Sequence, residues 1–171
     1  SVATAAFKDP TGPAAFAIEE ADRSSGIRII STVSGVDAGT KVAVRGTVAT
    51  INGEKVVQAP ANQITIGSPN NEFPAPLALA NLATGGGAFK DQGAVLDDST
   101  TGKMSVGANT IGLLQTITGK VTTSFDTFDW SGYFYVDDGS GLKDGSGDTG
   151  IKCRPIADEY GLIPALPSVG D

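Results

Sequence analysis

The chain has 171 residues, of which 12 are basic, 19 are acidic and none is histidine, for a net charge of −7. That balance works against binding a phosphate backbone, and the missing imidazole excludes Ser-His-Asp and Cys-His catalysis along with every histidine metal site. Forty per cent hydrophobic residues, with 23 Gly and 9 Pro, point to a folded chain of short strands and many turns rather than a helical or disordered one.

Ser1–Phe7 reads as an edge strand, ended by Asp9-Pro10-Thr11-Gly12-Pro13. Ala14–Glu20 and Gly26–Ser31 predict a hairpin across Ala21-Asp22-Arg23-Ser24-Ser25. Lys41–Ile51 alternates Val42, Val44 and Val48 against Lys41, Arg45 and Thr47, the pattern of a half-buried strand, with Gly46 as its bend. Asn52-Gly53 predicts a type I′ turn, with Glu54–Gln58 as the return strand. Gln63–Gly67 is a further strand, and Leu77–Ala83 predicts a helix of one or two turns, entered at Pro76 and stopped by Gly85-Gly86-Gly87. Residues 84–110 read as a Gly-, Asp-, Ser- and Thr-rich connection with room for one short hairpin. Ile111–Thr123 predicts a strand with Leu113, Ile117 and Val121 on one face and Gly119 as its bend. Phe125, Phe128 and Trp130 then lead into a hairpin over Tyr133–Arg154, and Ile156–Asp171 is a Pro-rich tail holding Leu162, Ile163 and Leu166.

Two stretches repeat. Phe16-Ala17-Ile18-Glu19-Glu20 matches Phe134-Tyr135-Val136-Asp137-Asp138 at an offset of 118, and Ser25–Ile29 matches Thr149–Cys153 at 124. The chain therefore reads as two copies of one β module, the first with a turn six residues shorter. The expected organisation is a first module over 1–85, a connection over 86–110 and a second, partial module over 111–171.

A bent Gly-containing strand, an aromatic strand ending in DDGSG, a returning GIK strand and a KVAVRG strand before an NG hairpin resemble the OB-fold, a five-stranded Greek-key barrel. Asn109–Leu114, Thr118–Thr122, Tyr133–Gly141 and Gly150–Cys153 carry a resemblance to tandem OB-fold-like modules of exported, uncharacterised bacterial surface proteins, with a weaker version across 14–58. The resemblance implies an all-β chain of two small barrels and one short helix, the second barrel lacking two strands because Pro167–Asp171 stops at its fourth.

Candidate chemistry is sparse. Asp137, Asp138, Asp144 and Asp148 gather hard oxygen ligands, so calcium stands beside a plain solvated turn. Trp130, Tyr133 and Tyr135 offer either an aromatic platform for sugars or barrel packing. Glu19/Glu20 and Asp137/Asp138 are adjacent in strands and point to opposite faces, so neither pair flanks a glycosidic bond. Cys153, the lone cysteine, reads as a small buried hydrophobe. No catalytic residue, metal ligand or cofactor site is assigned. No apolar run approaches the ~18 residues of a membrane span, and Ser1-Val2-Ala3 suits a chain freed from a signal peptide. The expected protein is a non-enzymatic, extracellular structural subunit at the cell surface, assembling head to tail with copies of itself. An oligosaccharide-binding OB pair is the alternative, with single-stranded nucleic acid a weaker one.

Overall fold

A computed structural model describes residues 1–7, 14–51, 54–85, 97–98, 103–104, 109–126, 132–143, 146–155 and 164–171. It is mostly β, with several sheets and no helix of seven or more residues. The chain falls into two compact units. Ser1–Leu77 and Thr110–Gln115 belong to the first, and Thr116–Asp171 and the described part of Ala78–Phe89 to the second.

Seven strands build the first unit: β1 (Val2–Phe7), β2 (Ala15–Glu19), β3 (Gly26–Ile30), β4 (Val42–Val44), β5 (Thr47–Ile51), β6 (Glu54–Gln58) and β7 (Ile64–Ile66). Five of them form a sheet in the order β1-β2-β3-β6-β5, and β4 pairs with β7. Every ladder is antiparallel except β3 with β6. The predicted Lys41–Ile51 strand is thus present as β4 and β5, broken at Arg45-Gly46. A side chain on Gly46 would fall on the Gln58 carbonyl, so the bend brings two backbones too close for any other residue. Asn52-Gly53 lies outside the described residues, although Ile51 pairs with Glu54 on either side of it.

β1 is not the simple edge strand its composition suggests. Gly39, at φ +85°, turns the chain back so that Ala3 N–H donates to Thr40 O at 2.9 Å and Gly39 N–H to Ala3 O at 2.8 Å. An isolated bridge between Val2 and Lys41 continues that pairing. Inside, Ala3, Phe16, Ile29, Val36, Val42 and Ala59 form a buried cluster flanked by Ile18, Ile27, Val57 and Ile64. Each fully buried Val, Ile or Phe contributes about 1.5–3 kcal/mol of transfer free energy.

Between the repeated hairpins lie β8 (Leu77–Ala78), β9 (Asp97–Asp98), β10 (Lys103–Met104) and β11 (Gln115–Thr116). β9 and β10 form a short antiparallel pair, and β8 pairs with β11. The predicted Leu77–Ala83 helix is replaced by β8 and a single 3-10 turn at Asn81–Ala83. The reason is competition for its amides: Leu77 N–H donates to Leu114 O at 3.0 Å and Leu79 N–H to Thr116 O at 3.2 Å. Ile111–Thr123 likewise is not one strand. Gly112, at φ +79°, makes a turn, β11 follows, and a new strand starts only at Lys120.

The second unit's main sheet is β12 (Lys120–Phe125), β13 (Tyr133–Asp137) and β14 (Ile151–Cys153), in that order and antiparallel throughout. Its registers reproduce the first unit's. Val2↔Glu19 and Ala3↔Ile18, then a one-residue shift to Ala5↔Ala17, recur as Lys120↔Asp137, Val121↔Val136 and a shift to Thr123↔Tyr135. Phe16↔Ile29 recurs as Phe134↔Cys153. Even the outer contact of β1 has its counterpart, because Val121 N–H donates to Asp171 O and Gly170 N–H to Val121 O, both at 2.9 Å. Two sequences with few identities thus share one ladder and one bulge.

Gly46→Ala is expected to lower the stability of the first unit by about 1–3 kcal/mol, the usual range for forced overpacking, read as a drop in its urea unfolding midpoint.

Candidate functional site: the open side of the second sheet

Register fixes which side chains share a face. Phe134, Val136 and Cys153 stand where Phe16, Ile18 and Ile29 line the first unit's core. Phe16 and Ile29 are 4% and 1% exposed, whereas Phe134 and Cys153 are only half-buried. The difference traces to what lies beyond the third strand. In the first unit β6 runs parallel along β3, pairing Arg28↔Val56, Ile29↔Val57 and Ile30↔Gln58, and Arg28 holds Glu54 at 2.6 Å. Burial raises the Glu54 carboxyl above its ordinary value, against the pull of Arg28. Along the outer edge of β14 no described residue pairs. Cys153 is therefore a half-covered residue of an open face rather than a core hydrophobe. Its thiol is raised by the burial it does have, and its Sγ lies 3.7 Å from Ile151 O.

The opposite face carries the aromatic residues. Phe125 stacks on Tyr133 with ring centroids 5.4 Å apart, Lys152 Nζ lies 3.9 Å from the centre of the Tyr133 ring, and Tyr135 meets Tyr133 edge-on at 5.9 Å. Tyr135 is fully buried, and its hydroxyl is 3.0 Å from Ser146 Oγ. It gives no open platform. Nor does it share the face of Phe134 and Val136: the long turn after β13 folds over it. Trp130 lies outside the described residues, so of the predicted platform only Tyr133 is left partly open, beside Phe125, 52% exposed, which the sequence does not place in it.

The acidic loop is engaged in its own backbone. Asp137 Oδ1 accepts Gly141 N–H at 2.9 Å, Asp138 Oδ1 accepts Ser140 N–H at 3.0 Å, and Asp148 Oδ1 accepts the Thr123 hydroxyl at 2.8 Å. Asp144 is outside the described residues. Among those described, no three His, Cys, Asp or Glu side chains gather into a metal site. Such turn-fixing is what Asx geometry offers a Gly- and Ser-rich loop.

Two further anchors carry no motif that the sequence announces. Asn81 is fully buried; its N–H donates to Asp138 Oδ2 at 2.8 Å and its Nδ2 to Val136 O at 2.9 Å. Glu19, equally buried, accepts Leu114 N–H on Oε2 at 2.9 Å. The acidic pair ending each repeat's second strand thus secures a strap segment. Burial pushes the Asp138 carboxyl up, but the Asn81 amide and the Ser140 hydroxyl and amide outweigh it and hold the group below its ordinary value.

Comparison with known proteins returns nothing: no family model, no curated protein and no solved structure is significantly similar to this chain. The geometry of the open sheet stands on its own.

Asn81→Ala is expected to cost the second unit about 0.5–1.5 kcal/mol, since it removes the buried Nδ2 hydrogen bond to the Val136 carbonyl, read in the denaturant transition reported by that unit. A carboxyl whose folded pKa is depressed adds stability that is present above its unfolded value and lost as pH falls through the folded one. Acid titration of the thermal midpoint is therefore expected to show a loss beginning near 3.8, the ordinary value for Asp138, and Asp138→Asn is expected to flatten that limb.

Proposed function

We propose that the chain is a non-enzymatic structural subunit of an extracellular filament or layer, in which neighbouring chains complete each other's sheets. One observation carries this reading. Among the described residues nothing pairs with the outer edge of β14, where the matching edge of β3 lies under β6, and Phe134 and Cys153 on that sheet are only half-buried. Unpaired edge N–H and C=O groups are a template for another strand, and covering Phe134 and Cys153 adds roughly 25 cal/mol per Å² of apolar surface removed from water.

In this reading each unit is an OB-like Greek-key module. The first unit's strand order, its single parallel pair β3–β6 and the Val2–Lys41 bridge tying β1 to the bent β4–β5 strand support it. The second unit repeats the first three strands and the turn that covers the first of them. Contacts between unlike surfaces that do not close into a ring propagate into a filament. An exported setting is supported by the Thr-, Ser- and Gly-rich, Lys-poor composition, and among the described residues no helix is long and apolar enough to cross a membrane.

Sedimentation and negative-stain microscopy test the proposal. The native chain is expected to sediment as polymer. Cys153→Lys, which sets a charge on the apolar face an incoming strand would cover, is expected to remain a folded monomer by circular dichroism. A native chain that stays a stable monomer at high concentration overturns the reading.

A further inference from the structure

The open edge of β14 has a counterpart at the other end of the described strands. β5 terminates the five-stranded sheet: β6 takes one of its edges, and the other edge of Thr47–Ile51 bonds nothing among the described residues. Resting on the reading of β14 as an assembly edge, we propose that the strand completing it is β5 of a second copy of the chain.

Composition supports the pairing. Natural sheet edges are kept apart by charged residues, prolines or very short strands, and Thr-Val-Ala-Thr-Ile has no charge, no proline and four β-branched residues of five. Val48 is 63% exposed, the highest value among the large hydrophobic residues exposed within a strand. The acceptor is complementary in a limited but definite way. Lys152 and Arg154 are exposed along and beyond β14, and an uncharged strand meets no like charge there. The other exposed candidate, β7, has three residues, and the chain leaving it turns back to Lys41 through Gly67 N–H and Ser68 O.

Pairing β5 with β14 also adds a ladder without breaking one. Lending β6 instead would bare β3 in the donor and gain no net pairing. The two edges belong to different units, so each copy offers one donor and one acceptor surface, and the contact is heterologous.

Single cysteines at Thr47, Val48, Ala49 and Thr50 in the full chain, each with native Cys153, test the assignment under mild oxidation on non-reducing gels. Disulfides form only at short, well-aimed Cβ separations, and strand side chains alternate in direction. A ladder of dimers and higher species is therefore expected from one alternate pair, Thr47/Ala49 or Val48/Thr50. It should exceed by about tenfold the yield from Asp22→Cys, a fully exposed control in the β2–β3 turn, and vanish with Cys153→Ser. Filaments without a ladder above the control overturn β5 as the donor while leaving the assembly reading in place. A ladder replaced by a cross-linked monomer overturns the second copy as its source. Absence of both filaments and ladder removes the inference together with the reading beneath it.

Discussion

The pairing of strand edges is the constraint around which the described sheets are arranged. Backbone N–H and C=O groups need partners wherever water is excluded, and the first unit supplies them along several edges, though for the outer one of β5 no described residue does. β1 is met by Gly39-Thr40, β3 by β6, and β4 by β7. The second unit meets the same demand at β12, with Gly170-Asp171 on Val121, while along the outer edge of β14 no described residue pairs. Core burial follows directly. Ile29 is sealed because β6 brings Val57 beside it, whereas Cys153, the residue in the same register, has no such neighbour among the described residues.

The repeated ladder is dressed differently on its outer face. At one register position the first unit has Ala17 and the second Tyr135, both buried. Alanine needs little cover. A tyrosine needs a large one, and the six extra residues of the second turn provide it, with Ser146 at the hydroxyl and Asp148 fastened to Thr123. The Gly/Ser/Asp composition that invites a metal reading is explained by that covering task. Positive φ at Gly139, Gly141 and Gly147 lets the loop make its turns without strain.

Much of this was legible in the sequence where local rules act alone. The Phe16 and Phe134 hairpins, the bend at Gly46 and the return strand Glu54–Gln58 follow from alternation and turn chemistry. Legibility failed where a segment's partner is far away in the chain. Leu77–Ala83 has helical punctuation, but its amides find carbonyls at Leu114 and Thr116. Ile111–Thr123 has strand-like spacing, but the turn at Gly112 and the contact of Gly119 with the Asp137 carbonyl divide it. β1 looked like an edge because the residues covering it lie some 35 positions on, around Gly39 and Thr40. Asn81 and Glu19 were invisible as anchors, since a lone polar residue gives no hint of the buried amide or carbonyl it will meet. The aromatic residues were recognised, but their face was not, because alternation tells which side chains point together and not which side is covered.

The two straps limit how this protein can be dissected. Leu114, which occupies the buried Glu19 carboxylate, follows the last of the first unit's seven strands by 48 residues (66 to 114), and Asn81, which holds Val136 and Asp138, precedes the second unit's main sheet. A single scission anywhere in 86–109 parts both anchors from their sites at once. Each anchor and the group it holds then lie on different fragments, so neither repeat cut out at that connection keeps its own strap.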